Sequence, residues 1–169
     1  MRTTIGTLNR PPNMKRAFAA WFTNASMGSW DKALVLRVTA HKPAEPFWAE
    51  NLLFALYDPK CDLAFWLHLG SVPNDWDMWE DRVLAALPGD EGVLSMWAYH
   101  KTPQAKKPAG SNLAFKCVEP FRRWTVTFDG FATHTSYADM EKGIAPDLAR
   151  KRMTIDLDVE MQSPVWDAH

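Results

Sequence analysis

Hydrophobic and polar residues alternate along much of the chain, in runs about as long as a β-strand. In residues 152–162 the apolar positions are Met153, Ile155, Leu157, Val159 and Met161. The segment RRWTVTFDG (residues 122–130) repeats the alternation. Because successive side chains of a strand point to opposite faces of a sheet, this period predicts antiparallel strands with one buried and one exposed face.

The segment CDLAFWLHLG (residues 61–70) differs, because neither of its faces is built for water. As a strand it would carry Leu63, Phe65, Leu67 and Leu69 on one face and Ala64, Trp66, His68 and Gly70 on the other. A strand with two apolar faces needs cover on both sides. We expect one face to line the interior of a barrel and the other to pack on an N-terminal helix or on a second subunit.

Turn residues join this strand to the one before it. The intervening DPK suits a type I turn, which predicts a hairpin. Pairing of Asp58 with Cys61 would place Asn51 opposite His68, whereas a shift by one residue would place Leu52 there. The first register is preferred because it gives the imidazole a polar neighbour.

A second hairpin is predicted where residues 82–87 and 93–100 flank the turn PGDEG. The preceding PNDWDMWED (residues 73–81) is polar and studded with aromatic side chains, which predicts a loop. The Pro, Lys and Gly content of residues 101–111 predicts another exposed loop.

The N-terminal part of the chain has a different period. Met14, Phe18, Trp21 and Phe22 recur at helical spacing, which predicts an amphipathic helix over residues 13–25. The apolar run ALVLRVTA (residues 33–40) is the first strand candidate.

These elements predict a mainly β protein with little helix. The chain is expected to form a single domain, residues 1–169, in which an antiparallel β-barrel of about residues 33–162 follows the helix. Two packed sheets in a β-sandwich are the alternative, because an antiparallel sheet of this length must curl or pair to hide its apolar face.

Composition narrows the range of partners. Nineteen Lys and Arg residues against twenty Asp and Glu residues give a formal net charge of −1, which leaves no field to attract nucleic acid. No apolar run approaches the roughly 20 residues of a membrane helix, and the first residues lack the apolar segment of a signal peptide. We therefore expect no nucleic-acid partner, no membrane span and a cytoplasmic location. Cys61 and Cys117 lie in apolar segments and are expected to be reduced thiols.

Three segments taken together resemble a known family. They are FALYDPKCDLAFWLHLG, FKCVEPFRRWTVTFDG and IDLDVEMQSPVWDAH. In this order they resemble the N-terminal half of the lipocalin-like proteins grouped with hydroxyneurosporene synthase (carotenoid 1,2-hydratase) and the AttH-type proteins, over about residues 47–164. The resemblance implies a lipocalin-like, calycin-type barrel and a reaction of the hydro-lyase or isomerase type.

Proteins of that group usually carry a second lipocalin-like half after the point at which SPVWDAH ends this sequence. The resemblance therefore implies a homodimer, or a second lipocalin-like chain, that imitates the two-domain arrangement. Such a partner would also cover the second apolar face of residues 61–70.

The candidate site is built around His68. An imidazole in an apolar pocket can be held neutral and can act as an acid or a base, so His68 is the candidate catalytic residue. The alternative is a structural histidine bonded to Asn51. Trp66 shares the predicted face of His68, and residues 93–100 add either Trp97 and Tyr99 or Met96 and His100, depending on which face turns inward. The expected ligand-binding residues are Asn51, Trp66, Trp97 and Tyr99.

Signals for other chemistries are thin in this sequence. HxH, HExxH and CxxC spacings are absent, so no metal is expected, although distant residues such as His68, His100 and His134 could meet in the fold. GxSxG, GxGxxG and phosphate-loop motifs are absent too, so no cofactor is expected. Arg122 and Arg123 are adjacent and would point to opposite faces, which favours surface ion pairs over an anion clamp.

The nine tryptophans, an unusual number, indicate a thick core or a pocket for a ring-shaped ligand. The expected function is binding of a hydrophobic or aromatic small molecule in a β-barrel pocket, with acid–base conversion if His68 is catalytic. The alternative is a non-catalytic subunit or interaction module that pairs with a second lipocalin-like half.

Overall fold

The computed structural model describes residues 4–5, 20–22, 44, 46–142 and 149–161. Most of the predicted helix over residues 13–25, and the whole strand candidate at residues 33–40, lie outside these residues. For the three described residues of the helix the prediction is wrong, because Ala20–Phe22 pairs as a strand with residues 53–55. The apolar spacing that suggested a helix also allows an edge strand when a partner is at hand.

Antiparallel strands make up most of the described chain. They are β1 Thr4–Ile5, β2 Ala20–Phe22, β3 Asn51–Asp58, β4 Leu63–Val72, β5 Asp75–Ala86, β6 Val93–Lys101, β7 Leu113–Glu119, β8 Arg123–Thr135 and β9 Arg150–Glu160. A 3-10 helix, Gln104–Lys106, follows β6, and a short helix α1, Tyr137–Lys142, follows β8. No helix among the described residues is long and apolar enough to cross a membrane.

The strands form one sheet in the order β1-β9-β8-β6-β5-β4-β3-β2, and β7 also pairs with β8. β8 is 13 residues long and is shared along one edge: β7 pairs with its first half and β6 with its last three residues. This arrangement curls the sheet into a half-barrel. The mainly β, antiparallel prediction is confirmed in this coarse form.

The concave side of the half-barrel is filled by side chains. Phe54 on β3 makes edge-to-face contacts with Phe115 on β7 and Trp124 on β8, with ring centroids 4.9 and 6.0 Å apart. The two ends of the curled sheet therefore meet across a packed core. Alternate residues of β9, Met153 to Val159, are buried in it as predicted. Leu63, Phe65, Leu67 and Leu69 form the core face of β4.

The β3–β4 hairpin forms, but its predicted register is wrong by two residues. Asp58 pairs with Leu63, and Asn51 is opposite Gly70 rather than His68. The loop is longer than a two-residue turn because the Lys60 N–H donates to the Asp58 side chain (2.9 Å) and Asp62 adopts a positive φ of 50°. A shift by two keeps every side chain on its predicted face, because strand side chains alternate with a period of two.

Residues 75–81 belong to a strand, so the loop predicted over residues 73–81 is wrong for most of its length. β5 starts at Asp75 and pairs with both β4 and β6. The segment has the polar composition of a loop, and its two tryptophans, Trp76 and Trp79, occupy buried positions of the strand. Trp79 is fully buried, and its indole N–H donates to the Trp76 carbonyl at 3.0 Å. The second hairpin, β5–β6, is confirmed.

Candidate functional site

The predicted site residues all lie on one face of the sheet, the face opposite the core, called here the outer face. Three cross-strand rows of paired residues define it: Asn51–Gly70–Glu80–Tyr99, Leu53–His68–Arg82–Trp97, and Ala55–Trp66–Leu84–Ser95–Thr133–Arg150. On β6, Trp97 and Tyr99 share this face with His68, whereas Met96 turns toward the core. The expected location inside a barrel is wrong for this set, because the concave side is occupied by core side chains.

His68 lies between three side chains of the outer face. Its Nε2 atom is 3.1 Å from Asn51 Oδ1, its ring stacks on Trp66 with centroids 5.4 Å apart, and its Nδ1 atom is 3.6 Å from Glu80 Oε1. Burial lowers the pKa of His68 and outweighs the negative charge of Glu80, and the positive charge of Arg82 acts in the same direction as burial. The imidazole is therefore neutral at neutral pH.

Glu80 and Arg82 belong to the site, although they are not among the site residues predicted from the sequence. Arg82 Nη2 donates to Glu80 Oε2 at 3.0 Å, and Arg82 Nε contacts the other carboxylate oxygen. Burial acts to raise the pKa of Glu80, but hydrogen bonds from Arg82 and Tyr99 hold the pKa below its usual value. The available signal was their spacing, because residues two apart on a strand share a face. The loop predicted over residues 73–81 separates Glu80 from Arg82, which begins the next strand-like segment, so the signal is lost.

Arg82 also fixes an aromatic side chain. Its guanidinium carbon lies 4.1 Å from the centre of the Trp97 ring, a cation–π geometry. The Trp97 ring in turn lies 6.1 Å from Tyr99. The Glu80–Arg82 ion pair thus connects His68, which lies beside Glu80, with Trp97 on β6, which lies beside Arg82.

A groove of about 540 Å³ opens on the outer face beside this cluster. It lies where β6 separates from β8 after Ser95, the last residue of β6 that pairs with β8. We call it the outer groove; it is lined by residues Trp66, Arg82, Val83, Leu84, Ser95, Met96, Trp97, Ala98, Asn112, Phe131, Thr133 and Arg150. Trp97 and Phe131 are 61% and 60% exposed, values that are high for large apolar side chains.

The predicted site residues divide between these two regions. Trp66 and Trp97 line the outer groove, whereas Asn51, His68 and Tyr99 do not. His68 stands behind Trp66, one row away from the middle of the groove. His68 therefore contacts Trp66, and Trp66 in turn lines the groove.

The other candidate chemistries are not assembled in the described part of the chain. No group of three or more potential metal ligands is present there. His134 bonds the Glu91 carbonyl (2.7 Å), away from His68. Arg123 pairs with Asp158, in line with the surface ion pair expected from the sequence. Neither Cys61 nor Cys117 forms a disulfide bond.

One buried acid on the core side was missed. Glu50 is buried, and burial raises its pKa to about 8. Its backbone N–H donates to Ser71 Oγ at 2.8 Å, while its Oε2 atom has no hydrogen-bond partner among the described residues. The alternation gave the signal, since Glu50 continues the buried even-numbered positions of β3.

The chain matches no protein-family model, no curated protein and no solved structure to which it was compared. The resemblance to the carotenoid hydratase group stays a prediction. The geometry of the outer face is consequently the basis for assigning a function.

Proposed function

We propose that this protein binds a hydrophobic or aromatic small molecule in the outer groove. One observation carries the proposal: Trp66, Leu84, Trp97 and Phe131 surround a groove of about 540 Å³ on an otherwise mixed surface. Ligand pockets typically enclose about 300–1,000 Å³ and are lined mostly by apolar and aromatic side chains. The flat faces of two indoles and a phenyl ring suit a planar ligand.

The rings that would contact the ligand are held in place by neighbours. Trp66 stacks on His68 with an angle of 11° between the rings, and Arg82 lies over Trp97. Side chains that are already fixed lose little conformational entropy when a ligand binds. In this proposal the His68–Glu80–Arg82 cluster positions the two indoles.

Two finer parts of the sequence expectation belong to the same proposal. The half-barrel would be of lipocalin type, with its ligand on the outer face rather than in the interior. A second copy of the chain, or a second lipocalin-like chain, would cover the groove and enclose the ligand. Burial of the exposed Trp97 and Phe131 in such a complex would supply hydrophobic stabilisation.

Acid–base conversion is a second candidate function, for a ligand that extends from the groove past Trp66 to His68, which does not itself line the groove. A neutral imidazole beside the Glu80 carboxylate can accept a proton, because the carboxylate stabilises the imidazolium that forms. The reaction would be of the hydro-lyase or isomerase type. Loss of turnover in His68→Gln with unchanged ligand binding would support it, whereas unchanged turnover would remove it.

Binding can be tested with 2-naphthol as a neutral aromatic probe, by quenching of tryptophan fluorescence and by calorimetry. Trp97→Ala and Phe131→Ala should each weaken binding about tenfold or more, the effect of losing a large aromatic contact. Tyr57→Ala is the matched control, because Tyr57 is also an exposed aromatic residue of the outer face but does not line the groove. Equal affinity in all three variants would refute the proposed site.

Native mass spectrometry of protein purified without denaturant would test the remaining parts. A dimer that carries a discrete extra mass of a few hundred daltons, the usual scale of a pocket-sized ligand, would support both the ligand and the second copy. A ligand-free monomer at tens of micromolar would count against the dimer.

A further inference from the structure

We infer that the ligand of the outer groove is an aromatic anion, and that Arg150 binds its carboxylate or similar acidic group. This inference rests on the proposed function, because it assumes that the groove binds a small molecule. It adds the chemical class of the ligand and the residue that selects it.

Arg150 stands at the end of the groove away from Trp66. It begins β9 and is opposite Thr133 of β8, which in turn is opposite Ser95 of β6. Two strand spacings of about 4.8 Å separate β6 from β9, so the Arg150 backbone lies about 10 Å from Ser95 on β6, the strand that also carries Trp97. A ligand with two fused rings and one acidic group is long enough to reach from the indole to the guanidinium.

The guanidinium of Arg150 differs from those of the other arginines that the structure describes. Four of these pair with carboxylates: Arg82 with Glu80, Arg122 with Glu119 and Glu160, Arg123 with Asp158, and Arg152 with Asp129. Arg150 has no carboxylate partner within the described ranges. An arginine side chain offers paired N–H donors that match a carboxylate, so this one remains able to bind an external anion.

The charges around the groove favour an anion over a cation. Among the described residues, its lining contains two arginines and no Asp or Glu. Glu80 neutralises Arg82, which leaves Arg150 as the uncompensated charge among the lining residues. Hydroxyl and amide groups of Ser95, Thr133 and Asn112 also line the groove and can donate hydrogen bonds to an acidic group. A cationic ligand would meet no opposite charge among these described lining residues.

Two probes of the same shape separate charge from ring binding: 2-naphthoate and its neutral analogue 2-naphthamide. The wild-type protein should bind 2-naphthoate about tenfold more tightly, and added NaCl should reduce this preference. Arg150→Gln should abolish the preference and leave 2-naphthamide affinity within about twofold, because the ring contacts remain. Lys151→Gln is the matched control: it removes the same charge one residue away, from a side chain on the opposite side of β9, and should retain the preference.

The outcomes distinguish this inference from the proposed function. Binding of 2-naphthamide with no preference for 2-naphthoate, or a preference that persists in Arg150→Gln, overturns the anion site and leaves ring binding intact. Failure of both probes to bind at millimolar concentration counts against the groove as a binding site for aromatic molecules, and therefore against both proposals.

Discussion

The hydrogen bond between His68 Nε2 and Asn51 Oδ1 (3.1 Å) runs diagonally across β3 and β4, because the residue directly opposite Asn51 is Gly70. A Cβ atom on Gly70 would lie 2.8 Å from Asn51 Oδ1 and 3.0 Å from His68 Cε1. Both distances are too short for ordinary contact. The absence of a side chain at Gly70 therefore provides the space in which His68 meets Asn51.

Gly70→Ala should accordingly destabilise the protein by about 1–3 kcal/mol, the usual range for an overpacked site. Urea denaturation of the single variants and of the Gly70→Ala, Asn51→Ala double variant measures the coupling. The cost of the Gly70 substitution should shrink in the Asn51→Ala background, because the nearest clashing atom is removed. Additive effects would show that the two residues act independently.

The pH dependence of stability should reveal the neutral His68. Its folded-state pKa lies below the ordinary value of 6.5, so the unfolded chain binds the proton more tightly. Stability from this group is therefore present above about pH 6.5 and falls as the pH drops toward the folded pKa. Glu80 and Arg82 face the ring, and Glu80 opposes the shift without reversing it.

Replacement of His68 tests this prediction. Between about pH 7 and pH 5, the unfolding free energy of wild type should fall more than that of His68→Gln, which cannot bind the extra proton. Nitrogen chemical shifts of the imidazole, followed by NMR over the same range, would report the pKa of His68 directly. A histidine that titrates above 6.5 would contradict the assignment.

Glu50 should produce the opposite trend at higher pH. Burial raises its pKa from 4.5 to about 8, so the folded state holds the proton more tightly than the unfolded state. Its contribution is full below pH 4.5 and is lost as the pH rises to about 8. Over this window one such group reduces the unfolding free energy by at most about 1.4 kcal/mol per pH unit.

The isosteric variant Glu50→Gln isolates that effect. Its unfolding free energy should lack this component of the decline, so the difference from wild type should change steadily between about pH 5 and pH 8. Glu91→Gln changes an exposed acid and serves as the control. A difference that stays constant with pH would show that Glu50 ionises normally.

Asp81 fixes the segment that precedes β7. Its carboxylate is fully buried, and its Oδ2 atom accepts hydrogen bonds from Ser111 Oγ at 3.0 Å and from the N–H groups of Asn112 and Leu113 at 2.9 and 3.2 Å. Asp81→Ala leaves two backbone donors without their acceptor and should cost about 2–4 kcal/mol of stability.

A control variant and a hydrogen-exchange measurement test whether the Asp81 carboxylate holds the backbone of Asn112 and Leu113. Ser111→Ala removes only the hydroxyl and should cost about 1 kcal/mol. Hydrogen exchange at the amides of Asn112 and Leu113 should accelerate in Asp81→Ala and stay slow in Ser111→Ala. Equal exchange rates in the two variants would mean that the carboxylate does not hold this backbone.

Local alternation allowed the sequence to predict most of the strands and the face of each side chain. The buried side of β9 and the shared face of Asn51, Trp66 and His68 follow from the period of two alone, and they survive a register error of two residues. The start of β5 could not be predicted in this way. Its polar residues resemble a loop until the partners that bury Trp76 and Trp79 are known.

The sequence by itself therefore determined the mainly β class, the two hairpins and the side of the sheet on which the candidate residues lie, because side-chain direction depends only on neighbours in the chain. Tertiary structure decided what stands beside them. Pairing of β4 with β5 brings Glu80 and Arg82 to His68, and the separation of β6 from β8 opens the groove that ends at Arg150. These relationships depend on strand order, loop length and register, which arise from packing between distant segments.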